Sequence, residues 1–202
     1  GGYGGGIAFF TGYEMYLTGG RIADNQASSG GGIWTRLSQM TLSGGMIEDN
    51  IASNTGGGIY IDGSRNWSTR KVQITGDAQI IHNKAIYGGG VGIGENTALT
   101  MDGGLTSNNK ATYGGGVWVS AVMGQFVIKK SEETGSTGKL YGNQAGYGRD
   151  VYGNYDKSYK NSKIQLFAAA DMFGADENKK GSCWYNETKK LAITDPIEYD
   201  PV

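Results

Sequence analysis

Cysteine, proline and histidine are nearly absent from this chain, and each shortage removes a class of explanation. One cysteine, Cys183, among 202 residues permits no intrachain disulfide and no metal site built on thiolates, so packing alone must hold the fold. Two prolines are too few for a proline-rich disordered segment. With a single histidine, His82, any Ser-His-Asp arrangement or imidazole-based metal site must run through that residue, and no nucleophile signature surrounds it. Charge of one sign is also lacking: 18 Lys and Arg against 19 Asp and Glu leave a formal net charge of -1. The basic residues are scattered apart from short pairs such as Lys129-Lys130 and Lys179-Lys180, so nothing marks a nucleic-acid partner. No run reaches the roughly 18 apolar residues of a membrane-spanning helix. The most apolar stretch, Ile164 to Phe173, is interrupted by Gln165 and Asp171, so no membrane insertion is expected.

Glycine is what the chain has in excess, 37 residues, and its distribution is ordered. Gly-Gly-Gly followed by Ile or Val begins at Gly4, Gly30, Gly56, Gly88 and Gly114, at intervals of 26, 26, 32 and 26 residues. A decayed copy, Gly148-Arg149-Asp150-Val151, follows after 34 more. Clusters within a long period exclude collagen, which needs glycine at every third position. A period of this size is the signature of stacked repeats. Because the sequence opens in mid-repeat without an initiating Met or leader, it is expected to be a piece of a longer chain.

Two further elements recur. Asn-x-Ala appears at Asn25, Asn50, Asn83, Asn109 and Asn143. Ahead of it stand short alternations of apolar and polar residues, Met15-Tyr16-Leu17, Met40-Thr41-Leu42, Val72-Gln73-Ile74, Leu99-Thr100-Met101 and Phe126-Val127-Ile128, which is the strand signal. Three short strands per period, parted by glycine- or asparagine-rich corners and without helical periodicity, predict an all-β chain: a parallel β-helix solenoid of about 5–6 coils, roughly 25 Å long at the strand spacing. Stacking then predicts columns. Ile7, Ile33, Ile59, Val91, Val117 and Val151 form an inward stack, with Phe9, Thr35, Ile61, Ile93 and Val119 as the next inward row. Ala27, Ala52, Ala85, Ala111 and Ala145 line a tight corner. The five asparagines form a ladder and are expected to take the left-handed conformation that corners need. The longer intervals place polar surface loops at 62–70 and 129–137. Repeats are expected over 1–162, and a C-terminal cap with an exit linker at Asp195-Pro196 and Asp200-Pro201 over 163–202.

In pairing Gly-Gly-Gly-Ile with Ile-x-x-Asn-x-Ala, the sequence resembles the repeats of polymorphic outer-membrane proteins, autotransported bacterial adhesins with GGA-I and F-x-x-N motifs. It carries Ile, Thr or Leu where that family has Phe. It is also similar to the adhesin-like β-helix surface proteins of gut bacteria and archaea, whose repeats take a form close to Leu42-Ser43-Gly44-Gly45-Met46-Ile47-Glu48-Asp49-Asn50. The resemblance covers residues 1 to about 155. It implies a right-handed coil and a location at the cell surface of a bacterium or archaeon, and it brings no catalytic residue and no cofactor.

The outward position after the first core residue holds Ala8, Trp34, Tyr60, Gly92, Trp118 and Tyr152. A line of exposed rings there would suit the apolar face of a sugar; packing of the rings on loops or on each other is the alternative. Beside it runs a tyrosine column, Tyr3, Tyr87, Tyr113 and Tyr147, interrupted by Ser29 and Thr55. Trp34, Tyr60, Trp118, Tyr152, Tyr87 and Tyr113 are therefore the candidate ligand-binding residues. Asp24, Glu48, Asp49, His82 and Asn108 make a polar stripe beside the ladder, read as solvated turn residues with a weak cation site at Asp24 and Asp49 as the alternative; no metal is assigned. Arg36, Asp62 and Glu95 are scattered in sequence and do not read as a catalytic group. No threonine column persists as ice binding would need, and the calcium repeat G-G-x-G-x-D is absent. Asn66-Trp67-Ser68 and Asn186-Glu187-Thr188 match the glycosylation pattern. The expectation is a non-enzymatic surface module that binds glycan or a host or cell-surface protein within a larger parent chain. A polysaccharide lyase or glycoside hydrolase, and a passive stalk, are the alternatives.

Overall fold

The structure is a computed structural model and describes residues 2–12, 14–36, 39–63, 70–120, 124–129 and 131–153, with the backbone of two further strands at 163–166 and 184–186. Among the described residues there is no helix, and all strand pairings are parallel. Each glycine block leads into a strand of three residues: β1 (Ile7–Phe9), β4 (Ile33–Thr35), β7 (Ile59–Ile61), β10 (Val91–Ile93), β14 (Val117–Val119) and β18 (Val151–Gly153). These six pair in chain order, and Ile7, Ile33, Ile59, Val91, Val117 and Val151 are successive Cα partners. The column expected from the period is thus the register of the sheet.

The alternating segments form a second parallel ladder of β2 (Glu14–Ala23), β5 (Gln39–Glu48), β8 (Arg70–Ile74), β11 (Thr97–Met101) and β15 (Gln125–Ile128). β2 and β5 are 10 residues long and pass into the next side of the repeat through a turn at the left-handed Gly20 and Gly45, with φ 87 and 82°. In later repeats that path is divided, so β9 (Gln79–Ile81), β12 (Leu105–Ser107) and β16 (Lys139–Tyr141) stack separately on the far half of β5. A fourth, short side follows each ladder asparagine: β3 (Gln26–Ser29), β6 (Ile51–Thr55), β13 (Lys110–Tyr113) and β17 (Gln144–Tyr147), with Lys84 and Tyr87 bridging the column between them. The alanines face each other there in register.

Alternation puts Met40, Leu42, Val72, Ile74, Leu99, Met101, Phe126 and Ile128 into one core with the aliphatic column of the first ladder. Each such side chain contributes about 1.5–3 kcal/mol on leaving water, and branched residues fit a pleated surface. Met15, Leu17 and Ile22 of the first repeat are only partly covered.

The asparagine ladder closes the corner between the third and fourth sides. Each Nδ2 up to that of Asn109 donates to Oδ1 of the asparagine in the next repeat, at 2.9 to 3.1 Å. All five donate also to a backbone carbonyl, at 2.8 to 3.0 Å. The same Oδ1 accepts the preceding asparagine's backbone N–H. Asn50, Asn83, Asn109 and Asn143 are buried, and this bonding is what permits it, since each orphaned buried group would cost about 1–3 kcal/mol. One expectation fails here. The left-handed residues are not the ladder asparagines but those just before them, Asp24, Asp49, His82 and Asn108 at φ 60, 53, 57 and 55°, followed by Gly142 at 65°. The ladder asparagine needs an ordinary backbone to aim its amide inward, so the preceding residue takes the turn. The ladder ends on Asp150, whose Oδ1 accepts Nδ2 of Asn143 at 2.8 Å.

Of the region expected as a cap, two strands are described. β19 (Lys163–Leu166) pairs with β15 and β20 (Trp184–Asn186) with β18, both parallel, so they extend the two ladders. Cys183, both exit dipeptides and Asn66-Trp67-Ser68 lie outside the described residues, as do Glu187 and Thr188. So does 64–69 of the first loop. The second loop is folded on itself: Ser131 N donates to Ser136 O at 2.7 Å, and Ser136 Oγ reaches the carbonyl of Asp102 at 3.2 Å.

Candidate functional site

The aromatic residues singled out in the sequence come together, but not as an open line of rings. Trp34 is fully buried and Tyr152 is 3% exposed, while Tyr60 and Trp118 are half-buried. The cause is a stagger between two columns. The residue just before a glycine block packs over the outward residue of the next repeat's three-residue strand. Tyr3 lies 5.1 Å from Trp34, Tyr87 lies 5.5 Å from Trp118 and Tyr113 lies 5.2 Å from Tyr152, measured between ring centroids. Where the corner residue is Thr55, its partner is Gly92, at which an added Cβ would come within 2.4 Å of the Thr55 methyl. Ser29, ahead of Tyr60, is the one small corner residue set before a large ring. Phe10, which the repeat pattern did not flag, adds a ring 4.6 Å from Trp34. Among the described residues, Nε1 of Trp34 and of Trp118 is buried without a hydrogen-bond acceptor.

The tyrosine column itself forms a stack. Tyr87, Tyr113 and Tyr147 follow one another at 5.2 Å with interplanar angles of 13° and 9°, a spacing dictated by the strand separation beneath them. Their faces are occupied by each other, so the column presents ring edges and hydroxyls. Tyr3 and Phe10 are each 56% exposed, and Tyr147 is 48% exposed.

A charged group abuts the ridge. Arg36, Asp62 and Glu95 are scattered in sequence, but Thr35 pairs with Ile61 and Ile61 with Ile93, so register stacks Arg36 on Asp62, while the residue after Ile93 is Gly94 and Glu95 comes one further. Arg36 donates from two nitrogens to Asp62 Oδ2, at 2.9 and 2.8 Å. Its guanidinium also covers the Trp34 ring at 5.1 Å, a cation–π contact. Arg70 Nε donates to the carbonyl of Arg36 at 3.0 Å. Burial raises the Asp62 pKa above the usual carboxylate value against the pull of Arg36, with the Glu95 charge adding to the rise. Burial, with the charges of Asp62 and Glu95, pushes the Tyr60 phenol up to about 12, so Tyr60 stays a protonated donor near neutrality. Asp62 and Glu95 thus sit closer together than the sequence suggested, with one Asp62 oxygen committed to Arg36.

At the ladder corner Asp24 and Asp49 are exposed, as solvated turn residues would be. Arg21 stands between Asp24, at 3.6 Å, and Glu48, whose Oε1 accepts its Nε. The donors that converge are Glu48, Asp49 and His82, all within 4.8 Å of one another.

The chain matches no protein-family model, no curated protein and no solved structure.

Proposed function

We propose that this chain is a right-handed parallel β-helix of five to six coils that serves as a non-enzymatic, adhesin-like binding module at a bacterial or archaeal cell surface. Its aromatic ridge recognises a glycan or a surface protein. The observation that carries the reading is the register-stacked column of Tyr87, Tyr113 and Tyr147 beside the half-buried rings of Tyr60 and Trp118, which together present ring edges and hydroxyls along one side of the chain. Exposed rings that lose little side-chain freedom on binding are suited to sugar faces and to protein hot spots. Trp34 and Tyr152, being buried, then act as supports beneath the column, and the remaining sequence candidates contribute ring edges, with hydroxyls from Tyr60, Tyr87 and Tyr113.

Retention of the chain on an array of microbial and host glycans, followed by Tyr87→Phe with Tyr113→Phe and separately by Tyr113→Ala, tests it. These half-buried column positions are chosen because truncating the fully buried Trp34 would open the core. Selective retention that falls at least tenfold in one of the variants, a loss of about 1.4 kcal/mol, supports the reading. Silence across glycans and surface proteins alike favours a passive stalk.

Carbohydrate cleavage is a second reading, favoured by the gathering of Asp62, Glu95, Arg36 and Arg70 beside Trp34 and Tyr60. Release of new reducing ends from polysaccharide by the wild-type chain and not by Asp62→Asn would establish it in place of simple binding.

A further inference from the structure

We propose that Glu48, Asp49 and His82 form a divalent transition-metal site that clamps the ends of β5 and β9 together. Glu48 closes β5 and is the register partner of Ile81, so Asp49 and His82 stand side by side as the next residues of adjacent repeats. Both have left-handed backbones, at φ 53 and 57°, which fixes the direction of each Cα–Cβ bond. Their donor atoms and that of Glu48 lie within 4.8 Å of one another. Donors about 2.1 Å from one ion are at most about 4.2 Å apart, so modest side-chain rotation closes the shell.

The donor set is chemically specific. It is not a group of carboxylates alone: the chain's one imidazole is placed against two acidic side chains, and an imidazole with carboxylates suits zinc and its neighbours better than calcium. Among the described residues, the side chains of Asp49 and His82 make no hydrogen bond to each other or to anything else, so neither donor is spent within the fold. Glu48 is oriented by Arg21, which holds its Oε1. That guanidinium also opposes a second cation and keeps the affinity moderate. Water would complete the coordination on the exposed side.

The experiment is a zinc titration followed by calorimetry and by thermal melting. It uses the whole chain in a Cys183→Ser background, so that the lone thiol cannot contribute. One saturable site per chain is expected, with a melting temperature that rises with zinc. Both effects disappear in His82→Asn, and Asp49→Asn weakens uptake by about tenfold or more. Asparagine is chosen because Asn108 already occupies this corner one repeat on, with φ 55°; an unchanged metal-free melting temperature verifies that the fold survives. Zinc uptake that is absent from the parent, or that survives His82→Asn, overturns the site.

Discussion

Asp150 is the residue at which the repeat changes its chemistry. It stands where the other blocks carry their third glycine, with its side chain fully buried, and it supplies the acceptor that the last ladder amide would otherwise lack. Burial raises its pKa above the usual carboxylate value, opposed by bonds from Asn143 and by Arg149. A raised folded-state pKa favours the neutral acid, so its contribution to stability is present in acid and is lost as pH rises through the folded pKa. Asp150→Asn keeps Oδ1 as an acceptor without the buried charge. The melting temperature of the variant should therefore draw ahead of the parent as pH is raised to neutrality, and the two should converge in acid. A parent that gains on the variant toward neutral pH would show that Arg149 outweighs desolvation. The role of Asp150 could not be read beforehand, because aligned by sequence it counts only as decay of the glycine block.

In the glycine corner, each position of the block is constrained differently. The first residue is left-handed, as at Gly88 with φ 66°. The second is pressed against the neighbouring repeat: a Cβ at Gly89 would stand 2.5 Å from the carbonyl oxygen of Gly115 and 2.7 Å from Lys110 N. Gly89→Ala forces backbone apart and should destabilise by about 3 kcal/mol, at the upper end of overpacking. Gly19, in β2, has nothing within 4 Å of an added Cβ. Gly19→Ala should leave stability unchanged or raise it by about 0.5 kcal/mol through the unfolded chain. Denaturation midpoints of the pair measure the contrast, and equal effects would refute the close-approach account. Spacing alone identified the corner, the core column and the ladder, since these depend on register. Side-chain cover was less legible: Tyr3 over Trp34 depends on the direction in which a corner residue leans, and no period encodes that. Arg36 and Asp62 were recoverable, being 26 residues apart, one short interval of the glycine blocks, though neither belongs to a recurring motif.

For the whole molecule, contacts run between neighbouring repeats, so stability should grow by addition of repeats. A chain in which 88–113 is duplicated between Tyr113 and Gly114 would meet Gly-Gly-Gly-Val on both sides of the graft. It should be longer by about 4.8 Å, the strand spacing, in small-angle scattering and should melt no lower than the parent. A lower melting temperature would show that the particular contacts of each repeat matter more than the repeat. The ladder gives this growth a direction. All its amides point the same way along the stack, each donating to the next repeat, and that of Asn143 donates to the carboxyl of Asp150, which has no amide with which to continue the row. Copying can therefore lengthen the protein anywhere before Asp150 without altering how the ladder finishes, so inheritance by duplication has a fixed end and a free interior.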